Sequence, residues 1–135
     1  MEKEIFENDM TVFCVTAESF PEGIKETFDK LKPLFKIKSK RKVFGISWAE
    51  SGRIVYKAGA EMAGEDDAEY SGFETMILRK GNYICATIND FMNNIPKIGT
   101  TFTELLKYPG IDPNGYCIEW YFNPNDVKCM VRLKD

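Results

Sequence analysis

The run Tyr116-Cys117-Ile118-Glu119-Trp120-Tyr121-Phe122 carries one charged side chain among aromatic and apolar neighbours. A carboxylate surrounded by ring faces is a receptor for an organic cation, because the charge and the rings' negative faces act together, at about 0.5–2 kcal/mol per ring contact. Glu119 is therefore the candidate anchor of a site for a flat, cationic, aromatic small molecule. The residue types also fit two plainer roles: a charge on the solvent face of a strand, or an ion pair with a lysine such as Lys57. Trp48, Tyr56, Tyr83, Phe91, Trp120 and Tyr121 are candidates to line the site, although each also suits a core position. The tyrosines stand apart, since a hydroxyl on an apolar strand needs a partner that a pocket can offer.

Other chemistries find little support. The chain has no histidine, which removes the usual general base for a serine or cysteine nucleophile. Cys14, Cys85, Cys117 and Cys129 lie far apart with no Cys-x-x-Cys pair, so neither a metal site nor a cofactor is expected. Each lies in an apolar, strand-like run, where a free thiol behaves as a small hydrophobe and suits a reducing cytoplasm. With 18 basic against 21 acidic residues the net charge is −3, which opposes direct DNA binding. The basic run Lys36, Lys38, Lys40, Arg41 and Lys42 reads as a solvated connection. Met1-Glu2-Lys3-Glu4 leads into mixed polar sequence, so neither a leader peptide nor a membrane span is expected.

These residues must be held by a modest scaffold. At 135 residues, 44% hydrophobic and 29% charged, the chain fits one globular domain, residues 1–135. Met10–Thr16 is strand-like, and Ser19-Phe20-Pro21-Glu22 offers a capping residue and an early proline for a helix. Ile24, Phe28, Leu31 and Phe35 place one apolar face on that helix, which ends near Phe35. Val43–Glu50 and Arg53–Met62 predict a hairpin about Ser51-Gly52. The acidic stretch 63–69 reads as a surface connection between two halves. Phe73–Arg79 and Tyr83–Ile88 form a further pair of strands around Lys80-Gly81-Asn82. Ile95, Ile98, Phe102, Leu105 and Leu106 mark a second helix, weakened by Gly99. After the turn Asp112-Pro113-Asn114-Gly115, strands at Tyr116–Phe122 and Val127–Leu133 flank Asn123-Pro124-Asn125-Asp126.

The halves repeat. An offset of 74 residues sets Thr101-Phe102-Thr103-Glu104-Leu105 on Thr27-Phe28-Asp29-Lys30-Leu31, and Ile98 on Ile24. It also sets Ile118, Trp120 and Phe122 on Phe44, Ile46 and Trp48, and the strand from Val127 on the strand from Arg53. Half-repeats at about 10–62 and 73–133 thus read strand, helix, strand, strand. The expectation is an α+β fold: a tandem pseudo-twofold repeat of a β-α-β-β module, with an antiparallel sheet, two main helices and a ligand groove between the halves. If Ile118, Trp120 and Phe122 face the helices, Glu119 lies on the other face with Cys117 and Tyr121. Its repeat partner is Gly45, a residue too small to fill the space beside it.

The pattern resembles the GyrI-like domain, the effector-binding half of AraC-type and MerR-type multidrug-responsive transcription regulators. The likeness rests on Lys80-Gly81-Asn82-Tyr83, similar to the family's Gly-x-Tyr strand entry, and on Gly115-Tyr116-Cys117-Ile118-Glu119-Trp120-Tyr121 before a short turn and a last strand. It implies that Glu119 binds the positive charge of lipophilic cations. The sequence shows no helix-turn-helix segment, so the resemblance implies a stand-alone sensor or sequestering domain. Two other readings stay open. One is a hydrolase of strained electrophilic natural products in which Glu119 activates water. The other is an interaction module that inhibits a target such as a topoisomerase, and a protein partner or a homodimer fits any of the three.

Overall fold

The computed structural model describes residues 1–34, 41–62 and 72–135. The expected helix end at Phe35, the lysines 36, 38 and 40 and the acidic stretch 63–69 lie outside the described residues. The elements in chain order are β1 (Glu2–Phe6), β2 (Met10–Thr16), α1 (Ile24–Asp29), β3 (Val43–Glu50), β4 (Arg53–Glu61), β5 (Glu74–Leu78), β6 (Gly81–Ile88), α2 (Ile95–Leu105), β7 (Cys117–Trp120) and β8 (Val127–Arg132). They fall into two compact units, Asp9–Leu78 and Met1–Asn8 with Arg79–Asp135. All the strand pairs within the units are antiparallel, and each unit carries one α-helix, so the fold is α+β as the sequence predicts.

In the unit Asp9–Leu78 the strands run β3-β4-β2-β5. Ser51 and Gly52 both adopt positive φ, 51° and 76°, the geometry that lets a two-residue turn follow the twist of its strands. Glu50 then pairs with Arg53, and the hairpin is long and tight. The helix is shorter than its apolar spacing suggests. It stops at Asp29 and the chain continues as a 3-10 turn over Lys32–Leu34. Pro33 supplies the reason, since it has no N–H to extend the α-ladder. Leu31 and Leu34 still reach the core formed with Phe13, Ala58 and Ala60. Arg41, the described end of the basic run, donates to the carbonyls of Leu34 (3.0 Å) and Glu61 (2.9 Å), so it ties the chain together locally.

In the other unit the order β7-β8-β6-β1 has the same connection of strand, helix, strand, strand as β2, α1, β3 and β4. Cys85 takes the place of Cys14, and Lys128, opposite Thr87, that of Lys57, opposite Thr16. The offset of 74 residues fits Glu119 against Gly45, but their ladder partners, Cys129 and Ala58, are offset by 71. The single register expected from the sequence therefore slips in the second hairpin strand. The cause is the turn: β3 and β4 are joined by two residues, whereas Trp120 pairs with Lys128 and residues 121–127 lie between.

Two further expectations change. Glu2–Phe6 is a strand, missed because its charges mask the alternation; as the outer partner of β6 it needs only one face buried. The strands either side of Lys80-Gly81-Asn82 do not pair with each other: β5 joins β2, and β6 lies between β1 and β8. Gly81 is needed there, with φ at 132° and the Arg132 guanidinium packed where a Cβ would stand. On α2, Phe102 and Leu105 are buried but Ile95 and Leu106 are about half exposed, so only part of the expected apolar stripe is used. Burial of a leucine such as Leu105 stabilises by about 1.5–3 kcal/mol.

Candidate functional site

The register of β7 on β8 sets Cys117 opposite Val131 and Glu119 opposite Cys129. Directly opposed residues share a face, and Cys129 and Val131 pack with Phe102 and Leu105 of α2. Glu119 thus lies on the helix side of the sheet, with Cys117, and not on the opposite face as the alternation suggested. Ile118, Met130, Trp120 and Lys128 take the other side. Sequence alternation could not choose between the faces because both are largely apolar: Ile118 is 1% exposed and Cys129 is fully buried.

The Glu119 side chain is buried, at 9% exposure, which removes the solvent-facing role. The Tyr121 hydroxyl donates a hydrogen bond to its Oε1. Phe91 meets the Tyr121 ring edge-on, at 5.2 Å between centroids and 61° between planes. A pair of tied turns holds these rings together. Asn123 Oδ1 accepts from the backbone amides of Asn125 and Asp126, and Asp126 Oδ1 in turn accepts from the Asp90 amide at 3.0 Å. The Asn125 carbonyl accepts from the Phe91 amide at 2.9 Å. The Asn123-Pro124-Asn125-Asp126 turn is therefore more than a strand connection: it seats Phe91.

The two thiols on this face report the carboxylate electrostatically. Burial raises Cys117 to about 11 and Cys129 to about 12, and the Glu119 charge adds to both shifts. Both remain neutral thiols near pH 7.

The other expected site residues make contacts of their own. Trp120, across the sheet from Glu119, lies edge-on to Phe122 and beneath the Lys128 ammonium, 5.4 Å from its ring centroid. Tyr83 is buried on that same side, its hydroxyl donating to the Arg79 carbonyl at 2.6 Å and its ring 4.9 Å from Phe6. Tyr56 belongs to the other unit, buried between Phe20, stacked at 5.5 Å, and Phe28. Trp48, half-buried, is opposite Val55 on β4. Lys57, the lysine considered for Glu119, pairs with Glu74 at 3.1 Å. Glu119, Tyr121 and Phe91 are thus the expected residues that the structure gathers. A depression of 410 Å³ opens in the unit Asp9–Leu78, lined among others by Thr16, Glu18, Phe20, Arg53 and Ile54. It contains none of the expected site residues, and its charged lining residues are Glu18 and Arg53.

Sequence reasoning missed the buried pair of Arg132 and Asp112, 2.9 Å apart. Arg132 also donates to the Lys80 carbonyl and to Asp135, fastening the stretch before β7 and the start of β6 to β8. Asp112 was legible only as part of a turn. Among the described residues no group of three or more His, Cys, Asp or Glu could hold a metal ion, and no helix is long and apolar enough to cross a membrane.

No family model matches the chain, and no curated protein matches it. Solved structures do. SAV2435, bound to tetraphenylphosphonium, matches with a TM-score of 0.71 over 99% of this chain and 94% of its own, at 12% identity. The fold has precedents. A candidate transcription regulation protein from Staphylococcus aureus MU50 matches at 0.64 over 100% and 99%, with 11% identity. A hydrolase from Listeria innocua matches at 0.55 over 98% and 90%, with 9% identity. At these identities the likeness is one of fold, and function must be argued from the site.

Proposed function

We propose that the chain is a GyrI-like effector-binding domain that binds hydrophobic, cationic, aromatic small molecules, with Glu119 as the charge anchor. The observation that carries this reading is a carboxylate at 9% exposure on the helix side of β7, bonded to Tyr121 and backed by Phe91. A hydroxyl donor satisfies a lone pair but leaves the formal charge in place. An organic cation that reaches this carboxylate meets its charge while the cation's rings replace water against Tyr121 and Phe91. Tetraphenylphosphonium, the ion bound by SAV2435, is of this chemical class. The domain would act as a sensor or sequestering domain for such cations. Tyr83, Tyr56, Trp120 and Trp48 enter this proposal at a second level, behind Tyr121, which bonds to Glu119, and Phe91, which packs on Tyr121.

The test is a titration of tetraphenylphosphonium and of a fluorescent cationic dye against the wild-type chain and Glu119→Gln. The expected result is at least a tenfold loss of affinity in the variant, with an unchanged circular dichroism spectrum. Equal affinities would sink the anchor role.

Catalysis is the second reading, favoured by the Tyr121–Glu119 contact, which places a hydroxyl and a carboxylate where one could donate and the other accept a proton. The match to the Listeria innocua hydrolase lends it weight. Turnover of a strained electrophile beyond one equivalent, abolished in Glu119→Gln, would establish it; stoichiometric binding alone would leave the chain a binder.

A further inference from the structure

The face of β7 opposite Glu119 holds a second cluster with the chemistry of cation recognition. The Lys128 ammonium lies 5.4 Å from the centroid of Trp120 and 5.6 Å from that of Phe122, and its Nζ is 3.3 Å from Glu4 Oε2. Trp120 and Phe122 meet edge-on at 5.9 Å, so that they wall two sides of one space. Two ring faces and one carboxylate about an ammonium form the arrangement that aromatic cages use for quaternary ammonium ligands.

This arrangement is not the default of the fold. The corresponding lysine of the other unit, Lys57, stands opposite Ile46 and takes Glu74 and the Thr16 hydroxyl as partners, an ordinary ion pair. Lys128 instead has two ring centroids within 6 Å of its ammonium. Its side chain is 16% exposed and the rim residue Phe122 is 41% exposed, so the space opens to solvent at the Phe122 side.

We propose that Trp120, Phe122 and Glu4 form a second cation-binding cage that the protein's own Lys128 fills, making Lys128 a tethered competitor. A free ammonium ion must displace it. Tethering presents the lysine at an effective concentration on the order of millimolar, which a free cation must exceed. In the wild-type chain, cations are thereby restricted to other sites, and Trp120 serves to hold Lys128. The proposal does not depend on Glu119 binding anything.

The experiment uses tetramethylammonium, small enough for the volume left by an ammonium and its neighbouring methylenes, titrated by NMR against the wild-type chain and Lys128→Ala. At least tenfold tighter binding is expected in Lys128→Ala. Adding Glu4→Gln or Trp120→Leu to that variant should remove the gain, whereas adding Glu119→Gln should leave it intact, which separates this cage from the Glu119 site. Equal affinity of the wild-type chain and Lys128→Ala overturns the proposal. A measurement on the unaltered chain stands beside it in case that variant fails to fold. The Lys128 ε-methylene protons should resonate well upfield of an unstructured lysine through the ring currents, and unshifted resonances would also overturn it.

Discussion

The two units share a connection and differ in what they do with it. In the unit Asp9–Leu78 the helix-facing position of the first hairpin strand is Gly45, opposite Ala58, and the turn is two residues long. In the other unit the corresponding position is Glu119, opposite Cys129, and residues 121–126 intervene before β8. The longer connection lets Tyr121 fold back onto Glu119 and lets Asn123, Asn125 and Asp126 hold Phe91 in place. The candidate site therefore lies where the second unit departs from the first. What they keep in common, a lysine on the last hairpin strand bound to a carboxylate on the outer strand, ties down the outer strand of each unit.

The largest expected effect tests a tie that is built into one unit. Arg132 and Asp112 are both nearly buried, and Arg132→Met strands the carboxylate without its guanidinium. A loss of about 3–5 kcal/mol in urea denaturation is expected, and a loss below 1 kcal/mol would contradict a stabilising role for the pair. The same pair gives a pH dependence. The Asn114 amide and then Arg132 hold the Asp112 carboxyl below its usual value, against the opposing effect of its burial. With the folded value depressed, its contribution is complete above the unfolded carboxylate range and fades as pH falls through the folded value. Arg132→Met should flatten that acid-side decline.

A smaller effect compares the shared ties. Glu74→Gln and Glu4→Gln should each cost no more than about 1 kcal/mol, because both ion pairs are partly solvated. Desolvation opposes the shift at Glu74, but the Thr16 hydroxyl and Lys57 hold the carboxyl below its usual value, so its small contribution also fades toward acid. If the two losses differ widely in chemical denaturation, the ties are not equivalent. The smallest effect concerns the thiols. Burial raises Cys14, Cys85 and Cys117 to about 11 and Cys129 to about 12, so alkylation by iodoacetamide at pH 8 should be slow in the folded chain, with Cys117, the half-buried one, reacting first. Rapid labelling of Cys129 in mass spectrometry would show that its strand opens.

Much of this frame was legible in the residues. Apolar spacing placed α2, the turn chemistry of Ser51-Gly52 and Asn123-Pro124-Asn125-Asp126 placed both hairpins, and the single charge within Tyr116–Phe122 singled out Glu119. These signals are local: a period, a turn residue and an isolated charge are set by the chain within a few residues. The sequence also revealed the repeat, because the helix and the first hairpin strand share one offset of 74. What it could not carry was partner choice. That β5 leaves β6 to join β2, that polar Glu2–Phe6 is a strand, and that Arg132 finds Asp112 all depend on contacts between distant segments. Face choice belongs with them. The residues of β7 are apolar on both sides, so only the register with β8 decides that Glu119 joins Tyr121 and Phe91 beside the helix while Trp120 turns to Lys128.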